Sequence, residues 1–494
     1  MSEPTESMAH SSDAETLTKD RSEQQRALRA TPSSVQLLAY AAPVCSMVFL
    51  WIPTLSILPG LYAKYFNLKL TAVASVLLLS RVVDAVADPL VGYLSDRHRV
   101  AGGSRKTWVI AGGLALSVSS YFLFSPDPPV SYFYYLIWSL SFYLAWSLID
   151  IPHAAWGAEL VDDYNGRTQV YGYRSISLYI GLVAFSVLPF LPVFDGKEYT
   201  PQTLRGAVFI GAAFMLVALA ASALIAPDGK SVQTQSQDSF REVVSSIVRN
   251  RPLLHFMATY FSFSLSYGMW TGLIFVYLDR YLNLGAKTAV IFLIFGMAAL
   301  LSTPLWVRLV AKSSKSAVLA SGIALFVVSL FCYQFIRPTT AWWIPLLTSC
   351  GVYVGVAAFS LLAPAILADV VDYGVLKFNR NRGSTYFALL TLSFKASSGL
   401  GAGLALGLTG YLGFDATSTV QSHTAIVGLR IGLIWLPALL GLIAFVLALL
   451  TPISKRRHEI IRQRLESRKV VRTRRLLHLA GEMARLAPAI RTPP

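Results

Sequence analysis

Stretches of about 20 mainly apolar residues recur along this chain, and their number constrains the fold more than any other feature. Twelve can be marked, near 36–62, 70–94, 107–125, 132–155, 169–193, 204–226, 253–276, 286–311, 316–336, 341–368, 384–412 and 424–451. Backbone amides in hydrocarbon must find partners within the protein, so each stretch reads as a spanning helix. A barrel is excluded, because the segments are too long and lack apolar–polar alternation. A soluble chain of 494 residues with 54% hydrophobic and 14% charged residues would lack polar surface to cover itself. The expectation is an all-α membrane protein that crosses the bilayer twelve times.

The net charge of +16 does not imply nucleic acid, because the basic residues gather in alternate loops. One set is Arg97, Arg99, Arg105 and Lys106; others are Arg167, then Arg241, Arg249 and Arg251, then Arg308, Lys312 and Lys315, then Lys377, Arg380 and Arg382. The intervening loops, around Asp127, Asp195 and Asp415, are shorter and poorer in basic residues. By the positive-inside rule both termini lie in the cytoplasm. The tail from Lys455 to Arg475 is strongly basic and suits anionic headgroups, which makes membrane lipids its expected partner.

Residues 1–35 are polar, mixed in charge and without a signal-peptide core, which predicts a disordered cytoplasmic tail. Residues 227–252 contain a Ser/Gln-rich run from Ser231 to Ser239 and read as a cytoplasmic linker. It divides the spans into six-helix bundles at 36–226 and 253–451, with 452–494 as a basic cytoplasmic tail. Two bundles able to rock about a midplane site are the organisation of a secondary transporter. Pro53 and Pro59 in the first span, and Pro364 in the tenth, predict partly broken helices of the kind that line cavities. Cys45, Cys332 and Cys350 fall in apolar spans without metal-ligand spacing and read as packing residues.

Within the second span, Arg81, Asp84 and Asp88 follow one another at helical spacing and share a face. Each charge in a span costs roughly 2.5–3.5 kcal/mol on insertion scales, so such a cluster marks a use. The face can share a proton or a metal cation such as Na+, which makes it a candidate energy-coupling site. No other cofactor is expected. There is no phosphate loop, nucleophile elbow or metal-binding helix, and the chain does not read as an enzyme.

Three blocks carry a resemblance. Residues Arg81–Trp108 read RVVDAVADPLVGYLSDRHRVAGGSRKTW; Asp150-Ile-Pro-His-Ala-Ala-Trp follows, with Arg167 beyond it; then come Asp369-Val-Val-Asp372-Tyr-Gly, Arg382-Gly and Lys395. Together they resemble the glycoside–pentoside–hexuronide:cation symporters, the melibiose-permease-like branch of the major facilitator superfamily. The resemblance implies the major facilitator fold and symport of a sugar or glycoside with H+ or Na+ by alternating access, in a bacterial inner membrane. In such members the paired aspartates bind the cation, which carries over to Asp84 and Asp88. A neighbouring fourth-helix hydroxyl corresponds to Ser147, and an eleventh-helix lysine to Lys395. The residues that hold sugar hydroxyls correspond to Asp150 and Arg174.

A carboxylate accepts paired hydrogen bonds from vicinal hydroxyls, and a guanidinium fork fixes their orientation. Trp156, Tyr171 and Trp270 are candidate platforms for the apolar face of a sugar ring. Asp96, Arg97, Arg105 and Lys106 are expected in a cytoplasmic gate network, with Asp369 and Asp372 as its counterpart and Arg167 or Lys315 as partners. The expected assembly is a monomer.

Plainer readings stand beside these. Asp84 and Asp88 would merely orient helices through Arg81 or Lys395, Asp150 would cap a break before Pro152, and Arg174 would snorkel to the interface. His153 reads as packing and Trp342 and Trp343 as interfacial belt residues. The chain also departs from the family pattern. The first span, Tyr40-Ala-Ala-Pro-Val-Cys-Ser, lacks an acid that many members carry, and Ala87 stands where sodium-using relatives often have asparagine. The second departure favours protons. The first keeps open a lysolipid or other amphiphilic solute on the same fold.

Overall fold

The computed structural model describes residues 32–161, 164–194, 198–229, 240–378, 382–418 and 420–451, with scattered tail positions up to 467. The regular elements among them are all helical. Twelve helices are long and apolar enough to cross a membrane. The predicted N-terminal tail, the Ser/Gln-rich run and most of the basic tail lie outside the described residues.

Local sequence explains how the first span begins and breaks. Helix α1 (Ser34–Ser56) opens with a capping box in which Ser33 accepts from the Gln36 amide and Gln36 returns the bond. It stops at Ile57, and Pro59 sits in the first turn of the short α2 (Leu58–Tyr65), where a missing N–H costs nothing. The tenth span behaves differently: one helix of 36 residues, Trp343–Phe378, runs straight through Pro364. The break expected there is absent.

The first bundle continues with α3 (Leu70–Val100), α4 (Arg105–Phe124), α5 (Tyr132–Glu159), α6 (Tyr164–Val187) and α7 (Pro201–Leu224). At about 1.5 Å per residue, the 31-residue α3 outruns the roughly 30 Å hydrocarbon layer, so its basic end projects beyond it. Within the region read as linker, Phe240–Val248 forms the short helix α8. The second bundle comprises α9 (Arg251–Val276), α10 (Gly285–Lys312), α11 (Lys315–Cys332), α12 (Trp343–Phe378), α13 (Gly383–Tyr411), α14 (His423–Arg430) and α15 (Leu436–Leu449).

The bundles meet chiefly where α13 packs on α3, with smaller contacts of α10 on α6 and α9 on α1. Small residues permit the main approach: a Cβ at Gly399 would collide with Arg81, and one at Gly403 with Leu78. Other cross-bundle contacts gather at the end away from the chain termini. There Tyr199 packs against Phe275 and Phe292, and Lys64 pairs with Asp279 at 2.9 Å.

Candidate functional site

Helix α3 presents its charges to the seam between bundles, and the structure divides them into two pairs. Arg81 Nη1 lies 2.9 Å from Asp84 Oδ2. Its guanidinium also covers the Tyr143 ring at 4.3 Å and donates to the Lys395 carbonyl at 3.4 Å. Asp88 has different partners: Lys395 Nζ at 3.0 Å on one oxygen and the Ser147 hydroxyl at 2.5 Å on the other. Two carboxylates thus face two cations, and charge-assisted hydrogen bonds offset part of their desolvation. The Asp88–Lys395 pair joins the bundles, since Asp88 belongs to α3 and Lys395 to α13.

Helix α5 connects this cluster to a third ion pair. Ser147 and Asp150 lie about one turn apart on it, so both face the interior. Asp150 Oδ1 accepts from Arg174 Nη2 of α6, with both side chains less than a fifth exposed. A partly open carboxylate and guanidinium, held together beside the Asp88 cluster, offer acceptors and donors suited to hydroxyl groups. Neither group is snorkelling, because each is engaged with the other.

Two residues missed in sequence reasoning brace this region. Tyr40 stacks on His153 with ring centroids 4.3 Å apart, and its hydroxyl donates to the His153 carbonyl at 3.0 Å. His153 Nε2 lies 2.8 Å from the Tyr40 carbonyl, an acceptor, so Nε2 carries the proton. His153 therefore packs, as its sequence setting implied. Tyr143, the lid on Arg81, is the second.

The aromatic candidates fare differently from one another. Trp156 is enclosed at 1% exposure and its indole donates to the Pro227 carbonyl, which leaves no face for a solute. Trp270 is fully buried beside Phe295 and Tyr353. Packing has absorbed both, so the proposed role for these two is corrected. Tyr171 is exposed, sits one turn before Arg174 on α6, and donates to the Ala154 carbonyl.

At the termini-facing end of the first bundle, Arg105 joins Glu159 at 2.5 Å and Asp96 at 2.7 Å, while Arg99 reaches Glu159 at 3.0 Å. Sequence reasoning missed Glu159, the carboxylate that both arginines pair with. Lys106 donates to the Ala226 carbonyl at 2.6 Å and Ser104 to Asp228 at 2.8 Å, which fastens the exit of α7. Arg97 is exposed. In the second bundle Lys315 holds Asp369 at 2.7 Å, and Asp372 lies half-buried one turn further along α12. The pairs of Arg105, Arg99 and Lys315 each lie within one bundle. The Arg167 side chain falls outside the described residues.

Twelve spans in two bundles, joined by an ion pair between α3 and α13, define a secondary transporter of the major facilitator fold. The chain belongs to the MFS/sugar transport protein family, whose profile matches residues 39–455. It is 26% identical to the uncharacterized symporter YjmB of Bacillus subtilis, over 82% of this chain and 90% of that one. It is 24% identical to the glucuronide carrier protein homolog of Escherichia coli K12, over 83% and 90%. The sodium-dependent lysophosphatidylcholine symporter 1 of Xenopus tropicalis is 22% identical over 81% and 84%. Among solved structures, a D-xylose-proton symporter superposes with a TM-score of 0.62 at 13% identity, covering 84% of this chain and 97% of that one, and establishes the fold.

Proposed function

We propose that the chain is a monomeric symporter of a bacterial inner membrane, with both termini in the cytoplasm, that takes up a sugar or glycoside with a proton or sodium ion. The observation that carries this reading is the placement of Ser147 and Asp150 on one face of α5. Ser147 holds Asp88 at 2.5 Å and Asp150 is bound by Arg174, so one helix carries both the hydroxyl that holds the coupling residue and the carboxylate of the solute pair.

Asp88 is the site at which the ion acts. Both of its oxygens already have partners, and the adjacent Ala87 supplies no side-chain oxygen, which favours a proton over sodium. Protonating Asp88 removes its attraction for Lys395 and loosens the tie between α3 and α13. Solute binding at Asp150 and Arg174 biases the same two-state rocking motion, and symport is the coupling of these two biases. The Arg99, Arg105 and Glu159 cluster contributes a stiff end to the first bundle.

The test is thermal stabilisation of the purified protein by sugars, glycosides and lysolipids, repeated with sodium and across pH. Stabilisation by a glycoside that strengthens at low pH or with sodium supports the proposal. Stabilisation by lysolipids alone, without ion dependence, overturns it in favour of an amphiphile carrier.

A further inference from the structure

Besides Tyr171, two indoles not expected from sequence bear on the solute pair, one on the helix of Asp150 and the other packed against it. Trp146 lies one turn before Asp150 on α5, hence on the same face. The strongly exposed apolar residues of that helix, Phe133, Ile137 and Leu144, lie roughly half a turn around it and mark the side that meets lipid. Trp146 is partly open on the opposite side, so its free surface faces the protein interior.

Trp51 of α1 agrees. From Pro43 to Ala63 every residue is buried except Trp51 and Ile52. The Trp51 and Trp146 rings lie with centroids 5.6 Å apart at a 32° tilt, and both are partly exposed.

We infer that Trp51 and Trp146 form an apolar wall of the solute site, which holds the group attached to the sugar and selects aryl glycosides over methyl glycosides. The inference rests on the transport reading above. The Asp150–Arg174 pair takes the hydroxyl edge of the sugar, and the adjoining indoles take a planar aglycone through offset or edge-on ring contact. Such ring pairs add about two- to tenfold in affinity beyond buried area.

The experiment is calorimetric titration of the purified full chain with p-nitrophenyl and methyl glycosides of glucose, galactose and glucuronic acid. For the sugar that binds, the aryl form is expected to bind about tenfold more tightly. Trp146→Ala and Trp51→Leu should each bring that ratio towards one, while Trp146→Phe keeps most of it and Asp150→Asn weakens both forms alike. Melting temperatures identify folded variants, and Trp51→Leu serves if Trp146→Ala does not fold. An unchanged ratio in folded indole variants, or an equal loss of both forms, overturns the aromatic wall and leaves the transport reading standing. Failure of every glycoside to bind the unaltered chain overturns the transport reading and the wall with it.

Discussion

Lys395 of α13 lies 3.0 Å from Asp88 of α3, so an ion pair ties the two bundles together where α13 packs on α3. The other Asp88 oxygen is held by Ser147, one turn from the Asp150 that binds Arg174. On the proposed reading, ion and solute act on opposite ends of a short, stiff stretch of α5. On that reading a change in the charge of Asp88 would be felt at the seam directly and at Asp150 through one helical turn.

Replacing Asp88 by Asn removes the titrating group while retaining most of its volume. Concentrative uptake into proteoliposomes should be abolished, with solute exchange or binding partly kept. Full accumulation by Asp88→Asn would remove the residue from the coupling site.

Lys395→Met leaves Asp88 without its cation in a span. Removing one partner of a buried pair typically costs about 3–5 kcal/mol, whereas replacing both by neutral groups is often close to neutral. The double variant Asp88→Asn/Lys395→Met should therefore melt at a higher temperature than Lys395→Met alone. Simple addition of the two single effects would mean that the pair is energetically uncoupled.

Arg174→Lys retains the charge of the solute pair but loses the planar fork. Hydrogen bonds to charged groups are worth about 1.5–3 kcal/mol, so binding of the identified solute should weaken by roughly ten- to a hundredfold. Thermal stability should change little, because Asp150 keeps a cation. Unaltered binding in titration calorimetry would argue for a purely structural Arg174.

Glu159 accepts from Arg105, forms an ion pair with Arg99 and is buried, whereas the Asp96 side chain is 67% exposed. Exposed pairs are worth about 0–1 kcal/mol and buried ones considerably more when broken. Glu159→Gln should lower the melting temperature clearly more than Asp96→Asn. The reverse order would show that burial does not govern this cluster.

Lys64 and Asp279 join the bundles at the end away from the termini, where the Asp279 side chain is only 5% exposed. Asp279→Asn weakens that closure, and hydrogen exchange in α2 and across residues 277–281 should rise. Unchanged protection would assign the closure to the packing of Tyr199 on Phe275 and Phe292 alone.

Much of this was legible along the chain. The acid face of α3 follows from helical spacing alone, because residues three and four apart must share a side. Its partners were less legible. Lys395 was reached through resemblance, whereas Glu159 stood unnoticed within the Asp150 block, its only signal an acid near a loop rich in arginine. Trp156 and Trp146 both sit on α5 with the same apolar surroundings. Composition does not distinguish the one enclosed beneath Pro227 from the one open towards Trp51.

The sequence by itself determined the twelve spans and their helical form, because the cost of placing an unpaired amide or a charge in hydrocarbon acts residue by residue. Only the tertiary structure decided which charges meet and which aromatic rings stay open. The Asp88–Lys395 and Lys64–Asp279 contacts join residues 307 and 215 positions apart, and they exist because glycines on α13 let two bundles dock in one register. That register is a property of packed surfaces, which no local spacing encodes.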